Sequence, residues 1–95
     1  MIRFRPGTYP EFHMESSDYK LIYIDPYSLL VATDGRITRI YCPFVVRAIR
    51  EVGKHHKGKE VYVEMVKSDP HGWLVYIIQG EGYWYANFAI VLSNI

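Results

Sequence analysis

The sequence has a single cysteine, Cys42, among 95 residues, so no disulfide can form within the chain and nothing in it calls for an oxidising compartment. It has no apolar run long enough to span a bilayer, and its first residues, MIRFRPGTYPEF, hold no apolar core of signal-peptide length. A soluble, cytoplasmic protein with no membrane partner is expected. Net charge is scarce as well. The 11 Lys and Arg against 10 Asp and Glu leave +1, which excludes the overall electrostatic signature of a nucleic-acid or membrane binder. Repeats, low-complexity tracts and linkers are missing, so residues 1–95 read as one domain.

Chemical motifs are equally sparse. No Cys-x-x-Cys or His-x3-His spacing offers zinc four converging ligands, although His13, His55, His56 and His71 are available. Ser16-Ser17-Asp18, Glu64 and Glu81 make no nucleophile–base pattern, and Gly80-Glu81-Gly82 has no following helix with which to cradle a phosphate. Neither catalytic residues, nor a metal, nor a cofactor is expected.

What the chain does have is aromatics: nine Tyr, two Trp and four Phe, with half of all residues hydrophobic, which argues against disorder. They concentrate between Gly58 and Val91. In Val61 to Lys67, Val61, Val63 and Met65 lie two apart and share one face of a strand, opposite Tyr62, Glu64 and Val66. Ser68 to Gly72 breaks the run with Asp69-Pro70 and a glycine, so a turn is expected. Trp73 to Gln79 is a nearly continuous apolar run, which fits a strand covered on both faces. Gly80-Glu81-Gly82 is the next turn, and Phe88, Ile90 and Val91 end the apolar pattern. Two successive hairpins follow from this.

The first half reads differently. Residues 1–18, with two prolines and a glycine, form an irregular arm, with a short strand at Ile2-Arg3-Phe4. Tyr19 to Ile24 alternates and ends at Asp25-Pro26; Tyr27 to Thr33 and Arg36 to Tyr41 flank Asp34-Gly35. An Asp-Gly pair between strand-like flanks is a strong hairpin signal, because both positions tolerate positive φ. Residues 43–52 admit a short helix, with Pro43 in its first turn, Gly53 at its cap and Phe44, Val45, Ala48, Ile49 and Val52 on one face. As a strand, the segment turns Phe44, Val46 and Ala48 inward and leaves Ile49 on the wrong side.

The succession Phe44-Val45-Val46-Arg47-Ala48-Ile49, Lys57-Gly58-Lys59 before Glu60 to Val63, Leu74 to Ile78, a Gly turn and Tyr85 to Val91 resembles the small SH3-like β-barrel proteins of phages and mobile elements. The resemblance covers residues 44–91. It implies a strand rather than a helix at 44–52 and a mainly β fold: a small antiparallel barrel over 44–92, with an additional N-terminal hairpin within 19–41. It also implies a non-enzymatic binding module, most naturally protein-binding, which could act on a host component.

Two features qualify that expectation. Between Arg47 and Lys59 stand five cations (Arg47, Arg50, Lys54, Lys57 and Lys59) against one anion, Glu51, with His55 and His56 beside them. Cations near stackable rings such as Tyr83, Trp84 and Tyr85 suit single-stranded nucleic acid. The bland alternative is a solvated loop. Trp73, Tyr76, Tyr83, Trp84 and Tyr85 could instead line a peptide groove, although alternation assigns part of any such run to the core. A barrel ribonuclease of toxin type using Arg47, Arg50 and His55 is a further alternative, by fold analogy. Apolar strands with edges to protect also permit a homodimer.

Overall fold

The computed structural model describes residues 19–33 and 35–92. The arm, its expected strand at Ile2-Arg3-Phe4, His13, the Ser16-Ser17-Asp18 group and Asp34 lie outside them. Among the described residues the protein is mainly β, with three small antiparallel sheets.

The first sheet is a meander of β1 (Lys20–Asp25), β2 (Ser28–Thr33) and β3 (Arg36–Tyr41). Asp25 ends β1 by turning its carboxylate back on the chain. It accepts from the Tyr27 N–H at 2.7 Å and the Ser28 hydroxyl at 3.1 Å. Thr33 pairs with Arg36, so the loop has two residues, as the Asp-Gly signal requires, and Gly35 has φ +75°. Alternation sends Leu29, Val31 and Ile40 inward and leaves Ile22, Ile37 and Tyr41 exposed.

The second sheet has the order β5 (Glu60–Val63), β4 (Phe44–Ala48), β9 (Phe88–Ile90). The short helix admitted for 43–52 is absent. Phe44, Val46 and Ala48 are buried on one side of β4, and period two prevails over the helical pattern because strands on both sides satisfy its backbone. Ile49, on the wrong side for a strand, is buried nonetheless. The chain leaves the ladder at Ala48, and the Ile49 N–H bonds the Asn87 carbonyl at 3.0 Å.

The third sheet has the order β6 (Met65–Ser68), β7 (Leu74–Ile78), β8 (Glu81–Trp84), and a 3-10 turn at Tyr85–Asn87 leads from it into β9. Both hairpins expected in this half are present. The single strand expected over Val61 to Lys67 is corrected, because it breaks at Glu64. Val61 and Val63 are buried before the break, but Val66 is buried after it and Met65 is half-exposed. The inward parity switches there, and the two halves pair with different sheets: β5 with β4, β6 with β7. The tight turn also shifts. It is Gln79-Gly80, with φ of 53° and 80°, because Ile78 pairs with Glu81. Glu64 braces it by accepting the Gln79 N–H at 3.2 Å. β7 alternates, with Val75 and Ile77 only half-buried, so the continuous apolar run does not mean cover on both faces.

The three sheets share one core. Tyr19, Leu29, Val31 and Ile40 of the meander belong to the same buried cluster as Val46, Val63, Val66, Tyr76, Ile78 and Phe88. Each fully buried aliphatic or Phe side chain contributes about 1.5–3 kcal/mol. A backbone bond adds to the union, from the Val66 N–H to the Pro26 carbonyl at 2.7 Å. Residues 19–41 are therefore part of the core, not an appended layer.

Candidate functional site

A groove of about 450 Å³ opens where the start of β1 lies beside the turn into β7; Tyr19, Lys20, Leu21, Gly72, Trp73, Leu74 and Tyr85 line it. Its geometry is fixed from below. The buried Tyr19 ring sits with its hydroxyl accepting the Ile90 N–H at 3.3 Å, which ties the groove wall to β9. Trp73 is held by Asp69, whose Oδ1 accepts the N–H groups of His71 and Trp73 at 2.9 Å each. Gly72, with φ +86°, closes the turn by donating to the Asp69 carbonyl at 2.9 Å. Trp73 nevertheless remains 42% exposed. It meets Trp84 edge to face at 6.0 Å, and Trp84 meets Tyr85 in the same way at 6.0 Å. Perpendicular rings in series make a ridged surface with polar tips and apolar flanks. Burial pushes the Tyr85 hydroxyl up from its usual pKa of 10.0. Among the described residues Lys20 is the charged one of this lining.

The basic segment divides its side chains among different surroundings. Arg47 is bound to Glu60 at 2.7 Å across the β4–β5 pair, and Arg50 donates to the Asn87 Oδ1 at 2.6 Å. Lys54, Lys57 and Lys59 are exposed. His56 is also exposed and lies 3.7 Å from Glu51. His55 is wholly buried, so it is a core ring and not a loop-surface ligand. Adjacent residues of an extended segment point to opposite sides, which is why His55 and His56 part company. Tyr83 packs inward opposite Tyr76, edge to face with His55 at 5.3 Å and with Phe88 at 6.0 Å. Trp84 lies on the other face of β8, opposite Val75, and belongs with Trp73 and Tyr85. The three rings expected beside the cations are thus divided between two places.

Among the described residues, no group of three or more His, Cys, Asp or Glu stands ready to hold a metal ion. Among them, too, no helix is long and apolar enough to cross a membrane. Of the residues singled out from the sequence, the groove takes Trp73 and Tyr85 into its lining, with Trp84 beside them. Tyr19, Lys20, Leu21, Gly72 and Leu74 were not foreseen. They are brought together by the docking of β1 near β7, and no local pattern announces such a contact.

The fold and groove define a small mainly β domain with an open aromatic cleft. The chain matches no family model, no curated protein and no solved structure.

Proposed function

We propose that this chain is a non-enzymatic, SH3-like binding module that takes an extended, proline-containing protein segment into the Tyr19–Trp73–Tyr85 groove. The carrying observation is the ridged series Trp73–Trp84–Tyr85 beside an open apolar groove. Prolines in an extended helix present flat rings without internal hydrogen bonds, and they lodge between such ridges at little entropic cost. Lys20 at the wall favours a carboxylate on the occupant. The barrel reading draws support from the bend at Glu64, where one run of chain passes from the β4 sheet to the β7 sheet and the Glu64 N–H bonds the Ile77 carbonyl at 2.8 Å.

The test is titration of the purified chain with a panel of proline-containing peptides, with and without acidic residues. Intrinsic fluorescence is the readout, since Trp73 and Trp84 are the two tryptophans present. Peptides with a carboxylate should bind best. Trp73→Ala should weaken binding by about thirtyfold or more, the 2 kcal/mol typical of an aromatic anchor, with an unchanged far-UV spectrum. Binding that survives in a folded Trp73→Ala variant, or a panel that is silent at millimolar concentration, refutes the proposal.

A further inference from the structure

His55 is the odd residue of the interior. Its ring is 0% exposed, and neither Nδ1 nor Nε2 has a hydrogen-bond partner among the described residues. A neutral imidazole tolerates this at a cost; an imidazolium would bury a charge with two unpaired donors. The charges facing it act in both senses. Lys54 and Lys59 of its own segment repel a cation, and Glu81 of β8 is the opposing charge. That carboxylate already accepts the Tyr83 hydroxyl at 2.7 Å. Arg50, half-buried and bonded to Asn87, and the exposed Glu51, His56 and Lys57 complete the charged and titratable groups of the segment.

The backbone that holds the ring is paired only with itself. Val52 and His55 form an isolated two-residue bridge, with N–H to carbonyl distances of 3.0 and 2.9 Å. Its Gly53-Lys54 turn is exposed. Outside the bridge the chain is anchored to other segments: Ile49 N–H to the Asn87 carbonyl at 3.0 Å, Ala48 N–H to the Lys59 carbonyl at 2.9 Å, and Gly58 N–H to the Ala48 carbonyl at 2.7 Å. The Tyr83 ring closes over the pocket, edge to face with His55 and tight against Gly53, where a Cβ would stand 3.0 Å from the ring.

We propose that the 49–59 segment is an acid-sensitive clasp: protonation of His55 opens the Val52–His55 bridge and parts His55 from Tyr83, while the sheets stay folded. The opened loop then presents one more cation beside Lys54, Lys57 and Lys59. The direction is fixed by linkage. Burial first, then Lys59 and Lys54, hold His55 below its usual 6.5 in the closed state. Above that pH neither state takes up a proton, and the clasp is insensitive. Below it the open state binds a proton that the closed state refuses. The open fraction then rises about tenfold per pH unit until the closed form itself protonates.

Amide hydrogen exchange of the full chain across this range, corrected for intrinsic rates, tests the proposal. Protection of the Val52 and His55 amides should fall about tenfold per unit below pH 6.5, while the Ala48 and Ile49 amides hold. His55→Gln should flatten the profile and His56→Gln should leave it unchanged. A flat wild-type profile, a parallel loss at all four amides, or a profile abolished by His56→Gln overturns the clasp. Should His55→Gln not fold, the wild-type profile and the His56→Gln control decide the matter.

Discussion

Tyr76 sits at the centre of the core, 0% exposed, and its hydroxyl has no hydrogen-bond partner among the described residues. Phe44 meets its ring edge to face at 5.7 Å, and Phe88 lies tilted against it at 6.2 Å. Tyr76→Phe keeps both ring contacts and deletes the orphan oxygen. In the unfolded chain that oxygen is hydrated, so folding strands it at a cost of about 1–3 kcal/mol. The void left by one atom costs well under 1 kcal/mol at about 24 cal/mol per Å³. The variant should therefore be more stable by about 1–2 kcal/mol, which is roughly 4–8 °C in Tm per kcal/mol for a domain of this size.

The neighbouring Tyr19→Phe supplies the contrast. Its hydroxyl accepts the Ile90 N–H at 3.3 Å in a buried position. Removing it leaves that donor unpaired, and stability should drop by about 1–3 kcal/mol. Urea unfolding followed by tryptophan fluorescence, with equal m values, compares the pair of opposite sign. A destabilised Tyr76→Phe would show that the hydroxyl is bonded in solution, for instance through a buried water, and would refute the reasoning.

Three further outcomes follow from other parts of the fold. Leu29→Ala, at a fully buried position of β2, should cost about 2–5 kcal/mol and leave a single unfolding transition by fluorescence and circular dichroism, since the meander shares the core. Gly53→Ala should destabilise by about 1 kcal/mol or more in urea, because Gly53 has φ +57° and a Cβ there would crowd Tyr83 at 3.0 Å. The Asp25 carboxyl is held below its usual 3.8, chiefly by the Tyr27 N–H and then by Ser28 and Arg39. The stability it adds is full above that value and is lost as pH falls through the lowered one, so acid titration of the urea midpoint should be shallower in Asp25→Asn.

The fold was legible wherever one strand carries its own alternation. The alternation of Arg36 to Tyr41 gives β3 the bounds it has, and the two-residue loop before it pairs Thr33 with Arg36 as the Asp-Gly signal demands. Legibility failed where a neighbour decides. Val61, Val63 and Met65 keep a period of two, with only Val66 out of phase, yet the chain bends at Glu64. There the strand leaves one sheet for another, and its carboxylate reaches across to the Gln79 N–H at 3.2 Å. Residues 43–52 fit a helix better than a strand by periodicity. Two partner strands supplying backbone bonds outweigh that pattern.

The groove shows the same division more sharply. Trp73 and Tyr85 stood out as aromatics, but the wall opposite them comes from Tyr19 to Leu21, more than fifty residues earlier. Composition names rings; only the tertiary fold says which of them remain wet. Tyr83 and Trp84 are neighbours of one chemical class, yet alternation along β8 makes one a lid on His55 and the other part of the ridge beside the groove. The cations divide likewise. Arg47 and Arg50 are engaged by Glu60 and Asn87, while Lys54 and Lys59 bear on a buried imidazole. A basic stretch that reads as one surface in the sequence therefore serves two ends in the fold: Arg47 and Arg50 tie neighbouring segments together, and Lys54 and Lys59 bias the protonation of the ring beneath them.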